Sequence, residues 1–246
     1  MHSMLIKNIN PNEPSSWQDG LFLTFDIDWA CDDVLAYTID MVEEAGVYAT
    51  WFVTHDTPLL ERLRENPKFE LGIHPNFNNI LAGKYDPENE KNAEEVVEKL
   101  LSIVPEARSV RSHSMTQSSQ LLQLFVERGL THDCNHFIPH QTGIDLCPWY
   151  LWNGIVKVPY FWEDDVSFIC NDNLNNVGML LQRKGLKVFD FHPIHVFLNT
   201  ENIKRYEAAR PHYYSFESLV KLRNNETFGT GDALRLLLST LAIWRW

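Results

Sequence analysis

An α/β fold built on parallel strands is what this chain of 246 residues predicts. Two observations carry that expectation. Short apolar segments rich in β-branched and aromatic residues alternate with amphipathic segments of helical period. No fixed-period repeat, low-complexity tract or Pro/Gly/Ser-rich linker breaks the alternation. Parallel strands need crossover helices, so the expectation is an α/β barrel or a doubly wound sheet in one domain.

The elements read in order. LFLTFDID (21–28) is a strand and CDDVLAYTIDMVEEAG (31–46) a helix, with Asp32 or Asp33 as its cap, Leu35, Ile39 and Val42 at helical spacing and Gly46 as its stop. VYATWFV (47–53) has the composition of a buried strand. THDTPLLERLREN (54–66) reads as a helix stopped by Pro67, FELGIH (69–74) as a strand, and 76–92 as a long polar loop. AEEVVEKLLSIV (93–104) places Val96, Val97, Leu100, Leu101 and Val104 on one helical stripe. SVRSH (109–113) is a strand, 116–129 a helix, and LTHDCN (130–135) a strand. GIVKVPYFW (154–162), VSFIC (166–170) and LKVFDFHPIH (186–195) supply further strands, and DALRLLLSTLAIW (232–244) a closing apolar helix.

Charge narrows the partners. Lys and Arg number 21 against 33 Asp and Glu, giving a formal net charge of −12. A surface so acidic repels phosphate backbones and anionic lipid, so neither nucleic acid nor a membrane is an expected partner. No apolar run approaches the roughly 20 residues of a spanning helix. The first residues lack the basic, apolar and small-residue series of a secretory leader. Cys31, Cys134, Cys147 and Cys170 form no CxxC pair, which argues against a thiolate zinc site or disulfide framework. The expectation is a reduced, cytoplasmic protein.

The chemical signal is parity. A parallel strand covered on both sides should be apolar on both faces, so polar residues of one parity need a reason. Thr24, Asp26 and Asp28 share one face of the first strand, opposite Leu21, Leu23 and Phe25. Glu70, Gly72 and His74 align on another strand, as do Ser109, Arg111 and His113, and Val188, Asp190 and His192. Taken singly, each has an ordinary explanation: an acid caps a helix, a histidine sits satisfied in a core, an arginine pairs structurally. Together they would bury acids, an arginine and histidines at strand C-termini, where parallel-barrel active sites collect. That arrangement is costly without compensation, and a divalent cation bound by Asp oxygen and His nitrogen would supply it.

These residues resemble the polysaccharide deacetylase superfamily, the NodB-homology carbohydrate esterases. Leu23–Trp29 matches the first motif in an Asp-x-Asp form, and Ala45–Val53 matches the segment that follows the first helix. Glu70–His74 keeps the first histidine of motif two, with Asn78 where the second belongs. Arg111 to His113 corresponds to motif three, and Phe189–His192 to the final motif. GIHPNF, VRSH and FHPIHVFLN are most similar to the WbmS-like subgroup, associated with bacterial surface-polysaccharide genes; the likeness runs from about residue 20 to 200. It implies a distorted (β/α) barrel of about seven parallel strands, with 201–246 as a helical extension.

The resemblance also implies roles. Asp28 and His74 bind the metal, Asp26 is the general base, Arg111 orients Asp26, and His192 is the general acid. For the third ligand, Asn78 offers only an amide oxygen, whereas His113 shares the parity of Arg111 and carries the better donor; His113 is the expectation. Asp164, in Trp162–Asp165, is the expected partner of His192, with Asp190 an equally available acid on the same strand. His195 has the opposite parity and is read as a supporting residue. The implied reaction is metal-assisted removal of an N-acyl, foremost N-acetyl, group from a carbohydrate substrate, in lipopolysaccharide or other surface-polysaccharide metabolism. Zinc is the first choice of metal, with iron, cobalt and manganese also accepted by such a donor set. Trp29, Trp149, Tyr150, Trp152, Tyr160 and Trp162 are candidates to stack on sugar rings. The rivals are a non-catalytic carbohydrate-binding relative and a hydrolase of another small C–N bond. No GxSxG elbow, GxGxxG or phosphate loop appears.

Overall fold

The computed structural model describes residues 2–28, 31–84, 90–170 and 172–243. Its strands are β1 (His2–Ser3), β2 (Gly20–Asp26), β3 (Ala49–Val53), β4 (Phe69–Ile73), β5 (Ser109–Val110), β6 (His132–Asp133), β7 (Trp149–Tyr150), β8 (Val156–Lys157), β9 (Trp162–Glu163) and β10 (Lys187–Phe191). They join in one curled sheet in the order β7-β8-β6-β5-β4-β3-β2-β10-β9, with β1 added beside β2. Every pairing is parallel except β7 with β8. The result is the distorted (β/α) half-barrel that alternation and motifs predicted. The four long strands β2, β3, β4 and β10 are buried along their whole length, as a sheet covered by helices requires.

Interior packing is tight enough to dictate a glycine. A Cβ on Gly72 would lie 2.7 Å from Ser109 Oγ and 2.8 Å from the Phe52 ring. The helix Asp32–Ala45 ends on Gly46, whose φ of 60° suits a residue without a Cβ. The helix Thr230–Ile243 packs on both Asp32–Ala45 and Pro193–Leu198.

The N-terminal segment closes the bottom of the sheet. A 3₁₀ turn at Ile6–Asn8 lays the Lys7 N–H 3.0 Å from Glu70 Oε2, while Thr50 Oγ1 (3.0 Å) and Ser109 Oγ (2.7 Å) donate to the same carboxyl. His132 Nε2 lies 2.9 Å from the Ile9 carbonyl. Burial raises the Glu70 pKa, against the pull of those three donors.

Several elements differ from expectation, each for a local reason. Residues 166–170 are not a strand but lie in the helix Asp164–Ile169 and its end at Cys170; a short apolar run has no decisive period, and two acids in the first turn suit a helix start. The expected strand 186–195 stops at Phe191, and Pro193 opens the helix Pro193–Leu198, so the parity assigned to His195 does not apply. The strand at 154–162 is divided into β8 and β9. Strand β2 ends at Asp26, leaving Asp28 in the loop beyond it. The first helix is capped at Cys31 without a side-chain bond; Asp32 instead accepts from Thr57 Oγ1 at 2.6 Å. The loop 76–92 contains a helical turn, Asn78–Leu81, and its residues 85–89 lie outside the described residues, as do Trp29 and Trp244.

Candidate metal and catalytic centre

Strand ends deliver the polar side chains to one rim. Asp26 closes β2, and Asp28 follows it two residues later. His74 directly follows β4, with its N–H bonded to the Val53 carbonyl at 2.8 Å. Strand β5 is only two residues long, yet the ladder to the neighbouring chain continues: Arg111 N–H donates to Ile73 O (3.1 Å) and His113 N–H to Pro75 O (2.9 Å). That continuation keeps Arg111 and His113 turned to the same side, although His113 already stands in a 3₁₀ turn.

Three donors meet. Asp28 Oδ2 lies 3.2 Å from His74 Nε2 and 2.7 Å from His113 Nδ1, and the two ring nitrogens are 3.3 Å apart. Bonds of about 2.0–2.2 Å to one cation at angles of 90–110° set donors about 3.0–3.4 Å apart, so the triangle fits a divalent ion after small shifts. The donor chemistry, two imidazoles and a carboxylate, suits zinc and its borderline neighbours. Asn78 is exposed at the start of the turn Asn78–Leu81 and lines no part of the cavity described below.

Asp26 stands beside this triangle. Its Oδ1 accepts from Arg111 Nη1 at 3.1 Å, and its Oδ2 lies 3.2 Å from His74 Nδ1. Burial opposes ionisation of Asp26, but His74 and Arg111 outweigh it and bring its pKa down to about 2. The same accounting runs the other way for His74. Burial disfavours its cation, yet Asp26 and Asp28 carry its pKa up to about 10, so without a metal a proton on His74 neutralises the acids. The cluster therefore demands positive charge at this point.

Arg111 is 1% exposed and sandwiched, its guanidinium carbon 4.6 Å from the Phe52 ring centre and 4.5 Å from that of Tyr160. Its Nη1 reaches Asp26, Thr24 Oγ1 at 3.0 Å, and Asp190. Thr24 Oγ1 also donates to Asp190 at 2.7 Å. Asp190 is thus taken up by the arginine. Burial lifts its pKa to about 7 against that arginine's pull.

His192, just past β10, is paired with Asp164. Its Nδ1 lies 2.7 Å from Asp164 Oδ1, and its backbone N–H donates to Asp164 Oδ2 at 2.8 Å. The carboxylate therefore fixes both ring and backbone. Burial works against a charged imidazole, but Asp164, Asp165 and Asp190 hold the His192 pKa well above the usual histidine range. His195 packs between Phe168 and Tyr206, with Nδ1 3.1 Å from Thr200 Oγ1, and burial together with His192 pushes its pKa well below that range.

Asp26, His74, Arg111, His113 and His192 share a cavity of ≈ 330 Å³, within the usual size of a small-molecule site. Asp28 and His74 line a second hollow of ≈ 200 Å³ together with Thr54, Asn76 and Lys99. Some wall residues were not foreseen. Tyr206 and Arg210 reach the cavity from the segment read only as an extension, and no sequence pattern announced them. Glu163 and Asp165 flank Asp164, and Glu163 accepts from Tyr160 OH at 3.0 Å. Of the aromatic residues expected to stack on sugar, Tyr160 lines this cavity and the other described ones are placed elsewhere. Trp162 packs in the core on Phe189 and Phe191, Trp149, Tyr150 and Trp152 line no part of this cavity, and Tyr160 faces Arg111.

Comparison with known proteins agrees with this architecture. The WbmS-like polysaccharide deacetylase family matches residues 23–210. A crystal structure from Bordetella bronchiseptica, described as a candidate polysaccharide deacetylase (WbmS) involved in O-antigen biosynthesis, is 46% identical; it covers 96% of each chain with a TM-score of 0.89. A candidate polysaccharide deacetylase from Mycobacterium smegmatis shares the fold at 16% identity, with a TM-score of 0.53 over 92% of this chain and 85% of that one. No curated protein matches the sequence.

Proposed function

From the premise that this chain belongs to the WbmS-like polysaccharide deacetylase family, we propose that it is a metal-dependent hydrolase removing an N-acyl group, foremost acetyl, from a sugar used in surface-polysaccharide synthesis. The observation that carries the reading is the convergence of Asp28 Oδ2, His74 Nε2 and His113 Nδ1, with His74 and His113 lining one cavity together with Asp26 and His192. Asp28, His74 and His113 would hold the cation. When bound, it supplies Lewis-acid polarisation of the acyl carbonyl and acidifies a water.

The protein's own groups do the rest. Asp26, ionised down to about pH 2 and held by Arg111, accepts the proton of the attacking water. His192, kept protonated by Asp164, donates to the departing nitrogen, which is a poor leaving group as an anion. Arg111 itself is locked between two rings and orients the base. Among the described residues no helix is long and apolar enough to cross a membrane.

The test is acetate release from N-acetylhexosamines by protein loaded with zinc, stripped with chelator and reloaded, run beside cyclic amides and ureides. Turnover of the acetylated sugar that follows metal content is expected. Tight metal binding without turnover of any N-acyl sugar would instead indicate a carbohydrate-binding relative, and turnover of the cyclic amides alone a different C–N hydrolase.

A further inference from the structure

His113 reaches the donor triangle in a way that His74 does not. His74 directly follows a regular five-residue strand, whereas His113 leads a turn in which Ser114 (φ 56°) and Met115 (φ 53°) are both left-handed. Residues bearing a Cβ adopt that conformation when their surroundings impose it. Those surroundings are a buried polar network. Asn135 Oδ1 accepts the Ser112 N–H at 2.7 Å, one residue before His113. Asn135 is in turn gripped at both backbone ends. Its N–H donates to Asp133 Oδ1 (2.8 Å), and its carbonyl accepts from Gln117 Nε2 (3.1 Å). Lys157 Nζ ties these holders together, donating to Asp133 Oδ1 at 2.7 Å and Gln117 Oε1 at 2.8 Å.

Asp133, Asn135 and Lys157 are at most 2% exposed, and none of them lines the cavity. An ion pair so deeply buried is a poor source of stability, because a well-packed apolar pair of similar volume serves as well or better. What the pair does supply is direction. It fixes the Asn135 amide, and the amide fixes the peptide from which His113 departs.

We propose that Asn135, anchored by the Asp133–Lys157 pair, is the positioning residue that presents His113 Nδ1 to the cation site. The proposal rests on the reading of His113 as a metal ligand. It accounts for how a chain with Asn78 at the second motif-two position completes its donor set: the third donor comes from a strained turn after β5, braced from β6 and β8.

A double-mutant cycle with zinc competition and cobalt(II) absorption tests this. His113→Ala is expected to weaken zinc binding at least about tenfold, and Asn135→Ala to weaken it about tenfold with an altered cobalt spectrum. Asn135→Ala added to His113→Ala should cause no further loss, because the amide acts only through the ring. Ser114→Gly guards against an Asn135 variant that fails to fold. Glycine relieves the left-handed strain, so the metal-free Tm should hold or rise while zinc affinity falls several-fold, a pairing that a merely structural role would not produce. Unchanged zinc affinity in both Asn135→Ala and Ser114→Gly, with His113→Ala impaired, overturns the positioning role alone. Unchanged affinity in His113→Ala overturns the ligand reading beneath it.

Discussion

The two ends of the sheet turn inward-facing polar side chains to opposite purpose. At the bottom, Glu70, Thr50 and Ser109 point inward and are closed off by the Lys7 N–H, so the Glu70 carboxyl is matched by donors from the protein itself. At the top, Asp26, Asp28, His74 and His113 also point inward, but their donor atoms crowd one another around a point where, among the described residues, a proton on His74 rather than a Lys or Arg answers Asp28. Inward polarity alone therefore marks the interior of a barrel. Function is marked by what the polar groups leave unanswered.

That contrast can be attacked from either end. The largest expected effect is at the top: Asp26→Asn should lower kcat by roughly 10²–10⁴ with metal content intact, measured by acetate release and elemental analysis. His113→Ala should cost at least about tenfold in zinc affinity while Asn78→Ala leaves it unchanged; the reverse would move the third ligand to the loop. Asp164→Asn should act through pH. Asp164 is the first of the acids that hold the His192 pKa up against burial. Without it burial dominates, His192 loses its proton sooner, and the alkaline limb of kcat/KM moves to lower pH.

The smallest effect belongs to the bottom. Burial raises the Glu70 pKa, so its contribution to stability is full below the ordinary glutamate value and is lost as pH rises through the folded-state value. Glu70→Gln removes the charge, keeps one acceptor for the Lys7 N–H and Thr50 Oγ1, and turns the other position into a donor towards Ser109 Oγ. Its Tm should therefore exceed that of the parent by about 2–4 °C at pH 8 and match it near pH 4. A Glu70→Gln variant that loses turnover would erase the distinction between the two ends.

Much of this was legible in the chain. Parity located Asp26, Arg111 and His192, because β2 and β10 are regular and the ladder beyond β5 preserves alternation. The same reading applied to 130–135 would have lifted out Asp133 and Asn135, two polar residues of one parity in an otherwise buried strand. Other features left no such trace. The helix at Asp164–Ile169 ends in four residues, Val166 to Ile169, as acceptable in a strand as in a helix. Tyr206 and Arg210 arrive at the cavity through tertiary packing of a segment with no motif. Whether Asp164 or Asp190 serves His192 turned on how β9 lies beside β10, a pairing invisible to local pattern.

The stacked arginine has a practical corollary. Ion pairs on the outside, such as those of Arg62 and Arg128, face solvent and weaken as dissolved salt shortens the reach of charge. Arg111, on the cavity wall, is only 1% exposed and stacked between Phe52 and Tyr160, so salt screens its ion pairs far less. Brine should accordingly alter how this acidic molecule associates and how readily it melts far more than it alters the protonation of its Asp26.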